Sequence, residues 1–378
     1  MRRPDRYLWS RLQKLEPGPR VLDWSLAASV VLILGTGLYS LVVGRPVGAW
    51  VFDIHAIAGI ALVVLLTFKL RRVAPRVTPD RLTGPRVLSL ALATVTAAAL
   101  ATGLWWVLGG AISIGPWGLL NLHIGVGLLV PVVLLLHLRH RFHDPRNVPS
   151  RDRRTALQFA GVVGLSALAW RGQRAANEVL DTAGADRRFT GSREEGSDDG
   201  NAFPATSWMA DDPDPVDPDD WTLAVTGRVA DTATFGIEDL PAVDPVLDDP
   251  DPESEPVAAT EQRALLDCTS GWYSDHDWQG VAVADLLDAV DPDDAAAWVQ
   301  FRSVTGYRWS LPMEEAREAL LATHVDGERL SHPHGAPMRL VAPGRRGFQW
   351  VKWVEAVRVT KRRDVGESVA IFVSGLDE

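Results

Sequence analysis

Two histidines stand inside long apolar runs of this chain, His55 and His123, and one cysteine stands alone in it, Cys268. An ionisable side chain within such a run is costly and is usually kept for function. Two neutral imidazoles on facing helices are what a six-coordinate haem iron takes as axial ligands. Gly59, Gly125 and Gly127 lie nearby and leave room for a flat macrocycle to approach the backbone. The plainer alternative is a pair of helix–helix hydrogen bonds. The solitary cysteine excludes a disulfide within the chain and any all-cysteine zinc or iron–sulfur site. Its chemistry has to be read from its neighbours.

The elements that must position the histidines are four apolar stretches, 26–44, 52–70, 87–108 and 119–138. Each is near the roughly 20 residues needed to cross a bilayer. They form an internal repeat. Thr36-Gly37-Leu38-Tyr39 matches Thr102-Gly103-Leu104-Trp105; His55 follows Gly37 by 18 residues and His123 follows Gly103 by 20. Two helical hairpins related by duplication are expected. His137 follows His123 by 14 residues, on nearly the same helix face and about 21 Å further along. That spacing suits a second haem, but the equivalent place in the first hairpin is Lys69, a snorkelling boundary residue. One haem b at His55 and His123 is therefore expected. A second at His137 stays open, the alternative there being an interfacial histidine.

Arginines crowd loop 69–86 and segment 139–154, whereas loops 45–51 and 109–118 contain only Arg45. By the positive-inside rule the basic loops and the N-terminus are cytoplasmic. Trp50, Trp105, Trp106 and Trp117 then lie at the outer interface. The N-terminus does not read as a cleaved secretory signal. A fifth, weaker apolar run, 155–170, follows Arg153-Arg154. Twin arginines before such a run resemble the signal that exports folded proteins. Here it would act as an uncleaved fifth helix leading outward. The alternative is an amphipathic or buried helix beneath the bundle.

The chain carries a net charge of -10, divided very unevenly. Residues 1–180 sum to +13 and residues 181–378 to -23. Halves so different belong to different surroundings. An acidic coat of this kind keeps a protein soluble at high salt and points to a salt-loving host; ordinary solubility charge is the alternative. Residues 171–218 include two acidic Gly-, Ser- and Pro-rich stretches that cannot bury enough apolar surface to fold alone. Beyond them come short apolar runs at 221–225, 264–266, 298–304, 338–341, 351–359 and 369–373, with helical pieces at 281–290 and 313–321. This is a β-rich α+β pattern.

Within that half the motifs are ordered. Leu266-Asp267-Cys268-Thr269-Ser270-Gly271-Trp272 leads to Asp277-Trp278-Gln279-Gly280-Val281, then Phe301-Arg302-Ser303-Val304-Thr305-Gly306-Tyr307. His334-Gly335-Ala336-Pro337-Met338-Arg339 follows, and Gly347-Phe348-Gln349-Trp350-Val351-Lys352-Trp353 closes the set. Residues 221–376 thereby resemble the molybdopterin domain of the sulfite oxidase family, which includes sulfite dehydrogenases, eukaryotic nitrate reductases and a periplasmic methionine sulfoxide reductase. Residues 20–143 resemble, by histidine placement, the transmembrane cytochromes b of formate dehydrogenases and hydrogenases.

The first resemblance implies that Cys268 is the protein's ligand to molybdenum; a soft thiolate suits a high-valent metal and stays deprotonated when bound. It implies that Arg339 and Lys352 hold the pterin and its phosphate, and that Ser303 and His334 also touch the cofactor. Trp272 and Trp278 read as core. Thr305 replaces the family's aspartate, so that loop is expected to differ. Asn201 stands only loosely for the family's pterin-contacting asparagine.

The expected architecture is multidomain. Residues 1–150 form an all-α transmembrane cytochrome b-like bundle, 151–175 a fifth helix, 176–218 an acidic flexible linker, and 219–378 a β-rich α+β molybdopterin domain. The implied protein is a multi-pass cell-membrane oxidoreductase with its C-terminal domain on the extracytoplasmic side. It exchanges an oxygen atom with a small-molecule substrate, by sulfoxide reduction or sulfite oxidation. Its electrons pass through haem b to or from a quinone or other carrier. Membrane lipid is a partner; nucleic acid is not. Two contrasting readings remain: a non-catalytic electron-carrier or docking subunit with a degenerate molybdopterin domain, and a membrane half that is a plain anchor. The presence of Cys268 argues against the first.

Overall fold

The computed structural model describes residues 17–76, 83–109, 112–114, 117–142, 153–207, 211–237, 239 and 259–374. The chain folds as two compact units, Met1–Gly191 and Ser192–Glu378.

The first unit is helical: α1 (Pro19–Ser40), α2 (Trp50–Val73), α3 (Gly84–Leu108), α4 (Leu119–Arg141) and α5 (Arg153–Leu180), with a short antiparallel pair, β1 (Ser113–Ile114) and β2 (Trp117–Gly118), ahead of α4. Proline near the first turn starts α1 and α3, where its missing N–H would have no helical partner anyway. Helices α1 and α2 pack as one hairpin, α3 and α4 as another, and α5 lies on α2. Four helices are long and apolar enough to cross a membrane: Pro19–Ser40, Pro46–Val73, Gly84–Leu108 and Leu119–His140. Their outward faces leave large apolar side chains uncovered, Val31 at 69% exposure and Leu135 at 66% among them. In water such a surface is a liability; hydrocarbon suits it.

Helix α5 forms where the fifth run was expected but is not among those four. Its C-terminal half is too polar: Trp170 Nε1 donates to Asp53 of α2 at 2.9 Å, Arg174 lies 3.6 Å from the same carboxylate, and Asn177 Nδ2 donates to Val107 O at 3.1 Å. At the opposite end Lys69 pairs with Asp23 at 2.5 Å.

The second unit is a mixed α+β domain. One sheet is built around β7 (Trp272–Ala282). It pairs antiparallel with β6 (Thr260–Asp267) and β10 (Leu320–Val325), and parallel with β3 (Arg193–Glu194). Strands β11 (Glu328–Arg329) and β12 (Arg339–Val341) pair with β10. The other sheet runs β5–β4–β13–β8–β9, with β4 (Thr222–Gly227), β5 (Ala233–Gly236), β8 (Trp298–Ser303), β9 (Arg308–Pro312) and β13 (Val354–Thr360). Short helices α6 (Val283–Val290), α7 (Met313–Arg317) and α8 (Glu367–Val373) complete the unit. A continuous core joins the sheets, with Leu223, Trp278, Phe301, Leu320 and Val357 fully buried.

Two sequence expectations are corrected here. The run 369–373 is the C-terminal part of α8 rather than a strand. Asp364 accepts the Gly366 N–H at 2.8 Å ahead of its first turn, and buried Glu367 ties it to the Ser310 N–H at 2.9 Å. Residues 176–180 continue α5, and 192–207 are built into the second unit instead of forming a free linker. Side-chain and backbone bonds fix that stretch: Ser192 Oγ to Asp267 at 2.7 Å, Gly200 N to Asp326 at 3.0 Å, Asn201 Nδ2 to Arg329 O at 2.9 Å. Phe203, 3% exposed, joins the core.

Candidate active site

Cys268 sits in the turn between β6 and β7, its N–H donating to Trp272 O at 2.9 Å. The thiol is buried and lies 3.0 Å from Ser270 Oγ. The turn is braced from below. Asp267 forms a buried ion pair with Arg346 at 2.8 Å, Arg346 Nη2 donates to Cys268 O at 3.1 Å, and Ser192 donates to the same Asp267 carboxylate. These bonds tie the Cys268 loop into a buried polar network, which any shift of the loop would break.

Two cations, Arg339 and Lys352, lie near the thiol, and the Asp211 and Asp212 charges oppose only part of the shift at Lys352. Arg339 on β12 is 2% exposed; Nη1 donates to His334 O at 3.0 Å, while Nε is buried without a hydrogen-bond partner. Its guanidinium packs 5.1 Å from the Trp278 ring and 5.8 Å from that of Trp350. Lys352 donates to Ser207 Oγ at 2.8 Å and Pro333 O at 2.7 Å. Among the described residues neither cation forms an ion pair. Burial pulls the Arg339 guanidinium below its ordinary range, and negative charge on Cys268 opposes the shift. Burial, then the nearby Arg339 charge, pulls the Lys352 ammonium down to about 8. A buried charge without an opposite partner is expensive. The pair is therefore built to receive an anion.

Glycine makes the pair possible. Gly335 has φ +108°, and a Cβ there would stand 3.0 Å from Lys352 Cβ and 3.1 Å from Arg339 Cβ. Trp353, beside Lys352, holds φ +48°, a strained value for a bulky residue. Its indole donates to His332 O at 2.9 Å.

The other residues expected at the site play different parts. His334 is 5% exposed; Nε2 donates to Phe203 O at 2.9 Å and Nδ1 accepts from Ser331 Oγ at 2.7 Å. Burial lowers its pKa to about 4, which keeps this neutral tautomer. What it offers the site is its carbonyl, to Arg339. Ser303 is fully buried, with its Oγ 3.1 Å from Thr305 Oγ1, which also bonds Asp211. Asn201 spends its amide on Arg329 O and Glu328 and on the Ser331 N–H. Tyr307 donates to Phe348 O, and burial raises its phenol pKa. Sequence reasoning missed Arg346 and the segment 192–207. The Arg345-Arg346-Gly347 step inside the last motif was the available signal for the first.

A cofactor with a phosphate and many acceptor atoms fits this donor set. Besides Arg339 Nε, the buried Gln349 Nε2 and Trp350 Nε1 have no hydrogen-bond partner among the described residues. A soft sulfur beside an anion-binding cationic pair defines the class: an oxidoreductase domain for an anionic, metal-bearing pterin. Residues 209–367 match the oxidoreductase molybdopterin binding domain, so the C-terminal region holds a domain of this sulfite oxidase type.

Among curated relatives, the protein-methionine-sulfoxide reductase catalytic subunit MsrP of Gluconobacter oxydans (strain 621H) is 31% identical over 42% of this chain and 52% of its own. The chain thus spans about half the length of that relative. The uncharacterized oxidoreductase YuiH of Bacillus subtilis (strain 168) is 28% identical over 39% of this chain and 68% of its own. Among solved structures, the sulfane dehydrogenase SoxCD of Paracoccus pantotrophus matches at 25% identity and a TM-score of 0.34, over 40% of this chain and 41% of that one.

In the helical unit the repeat is reproduced atom for atom. His55 Nδ1 lies 3.1 Å from Ile33 O and 3.1 Å from Thr36 Oγ1. His123 Nδ1 lies 3.0 Å from Ala99 O and 3.3 Å from Thr102 Oγ1. A carbonyl only accepts, so Nδ1 carries the proton in both rings and each Nε2 keeps a free lone pair. The two imidazoles have centroids 6.1 Å apart and planes at 84° to each other. His137 Nδ1 is 3.3 Å from Ser89 Oγ.

Proposed function

We propose that this chain is a membrane-embedded molybdopterin oxidoreductase that exchanges an oxygen atom with a small sulfur compound and passes the electrons through a haem in its helical bundle. The observation that carries the first half is the buried thiol near Arg339 and Lys352. Cys268 would hold the molybdenum, and Arg339 and Lys352 the pterin and its phosphate. His334 would fix Arg339 through its carbonyl; it and Ser303 would also touch the cofactor. When bound, the cofactor supplies two-electron oxygen-atom exchange at the metal. The protein's share is to lock the Cys268 loop through Asp267 and Arg346, to place the cations, and to exclude water with Trp278 and Trp350. The sulfoxide reductase relatives favour sulfoxide reduction as the direction.

The paired histidines carry the second half. His55 and His123 would hold the iron of a haem between them: their rings lie 6.1 Å apart, centroid to centroid, and each Nδ1 proton is engaged, which leaves Nε2 as the donor. A Cβ added at Gly59, Gly125 or Gly127 meets nothing within 4 Å, so backbone lies open where a macrocycle would pass. One haem b at His55 and His123 would relay single electrons to or from a quinone or another carrier. With the basic loops 69–86 and 139–154 in the cytoplasm and α5 as a fifth crossing, the C-terminal domain would lie on the extracytoplasmic side, with the helices in lipid. The large negative charge of residues 181–378 suits a saline exterior.

The test is optical. Detergent-purified protein, carrying molybdenum and haem, is reduced with dithionite and mixed with methionine sulfoxide. Haem reoxidation in the wild type and its loss in Cys268→Ser, with the haem spectrum unchanged, is the expected result. Wild-type protein that lacks molybdenum, or a serine variant that still turns over, overturns the proposal. Reduction of oxidised protein by sulfite instead would reverse the direction.

A further inference from the structure

The Thr-Gly step that occurs in both hairpins does more than duplicate. In each, the threonine hydroxyl donates backwards to its own helix: Thr36 Oγ1 to Leu32 O at 2.8 Å, Thr102 Oγ1 to Ala98 O at 2.8 Å. Its lone pair is thereby turned toward the histidine Nδ1–H, which it shares with the carbonyl three residues before the threonine. The glycine next to it lets the ring lie flat on the helix. A Cβ at Gly37 would stand 3.1 Å from His55 Cε1, and one at Gly103 would stand 2.8 Å from His123 Cε1. Each imidazole is therefore held by two acceptors and one steric wall, which fix its rotation about the axis through the metal. Outer groups of this kind orient a ligand as firmly as the bond itself.

We propose that Thr36 and Thr102 are positioning residues that hold the two imidazoles at right angles around one iron, so that the centre is a strongly anisotropic low-spin ferric haem. The inference rests on the haem reading above. Its physical basis is orbital. Parallel rings donate π density into the same iron d orbital and split it from its partner. Perpendicular rings donate into different ones, leaving the two nearly degenerate. Near-degeneracy gives a large highest g value and broad remaining features; splitting gives a compact rhombic spectrum.

Low-temperature electron paramagnetic resonance of the oxidised full-length protein in detergent reads this without any turnover. The wild type is expected to show the large-g, strongly anisotropic signal. Thr36→Val with Thr102→Val keeps the shape of each side chain and removes the hydroxyl acceptor from each ring, leaving the carbonyl alone. The rings should then relax, and the highest g value should fall toward the rhombic type at unchanged haem content. A rhombic wild-type spectrum, or a double variant identical to the wild type, overturns the inference while leaving the haem in place. Should the double variant misfold, the wild-type spectrum alone decides. Protein with no haem sinks the earlier reading instead, because metal analysis and the pyridine haemochrome assay report it separately.

Discussion

His334 shows how one side chain can tie a site to the pH of its surroundings. In the folded domain it is neutral, donating to Phe203 O and accepting from Ser331, with its pKa lowered to about 4 by burial. In the unfolded chain it titrates near 6.5. Between those values the unfolded state binds the proton that the folded state refuses. Stability therefore falls as pH drops from about 6.5 to about 4, by at most about 3 kcal/mol. Denaturant titrations of the second unit across that range should show the loss. His334→Gln, which cannot take the proton, should flatten it, at a fixed cost from imperfect hydrogen bonds. The sequence marked His334 but not this role, since a histidine's two partners lie 131 and 3 residues away and only the fold names them.

Elements differ in how clearly their residues announce them. The four apolar helices were legible because a membrane span is long and nearly free of charge. Cys268, Arg339 and Lys352 were legible because they sit in ordered motifs. Strand β7 was not. Its inward positions are Trp272, Ser274, His276 and Trp278, so the alternation that signals a strand is broken by two polar residues that hydrogen-bond each other. Strand β10 is buried along all six residues, so it has no polar face to alternate with. The helix pairs allow a prediction at this scale. Alanine at Gly103 forces the His123 ring to move, since its new Cβ would come within 2.8 Å; alanine at Gly37 needs only a small adjustment at 3.1 Å. Gly103→Ala should lose most of the bound haem, and Gly37→Ala should retain most of it, measured as the haem-to-protein ratio after purification.

At the scale of the whole molecule, charge is the organising fact. A half with net +13 contains the apolar helices, and a half with net -23 carries the cysteine site. With α5 as a fifth crossing, protease added to sealed, right-side-out membranes should remove the acidic half and leave the apolar helices protected. In inside-out vesicles the acidic half should survive. The reverse pattern would put the cysteine site in the cytoplasm and mean that α5 does not cross.

Residues 192–207 carry a consequence for anyone who cuts this chain. They lie outside the 209–367 family match, and their composition looks like tether. Yet Ser192 supports the acid beside the thiol, Phe203 lends its carbonyl to His334, and Ser207 accepts from Lys352. A fragment begun at residue 209 would leave each of those three groups short of a partner. The smallest autonomous catalytic piece starts no later than Ser192.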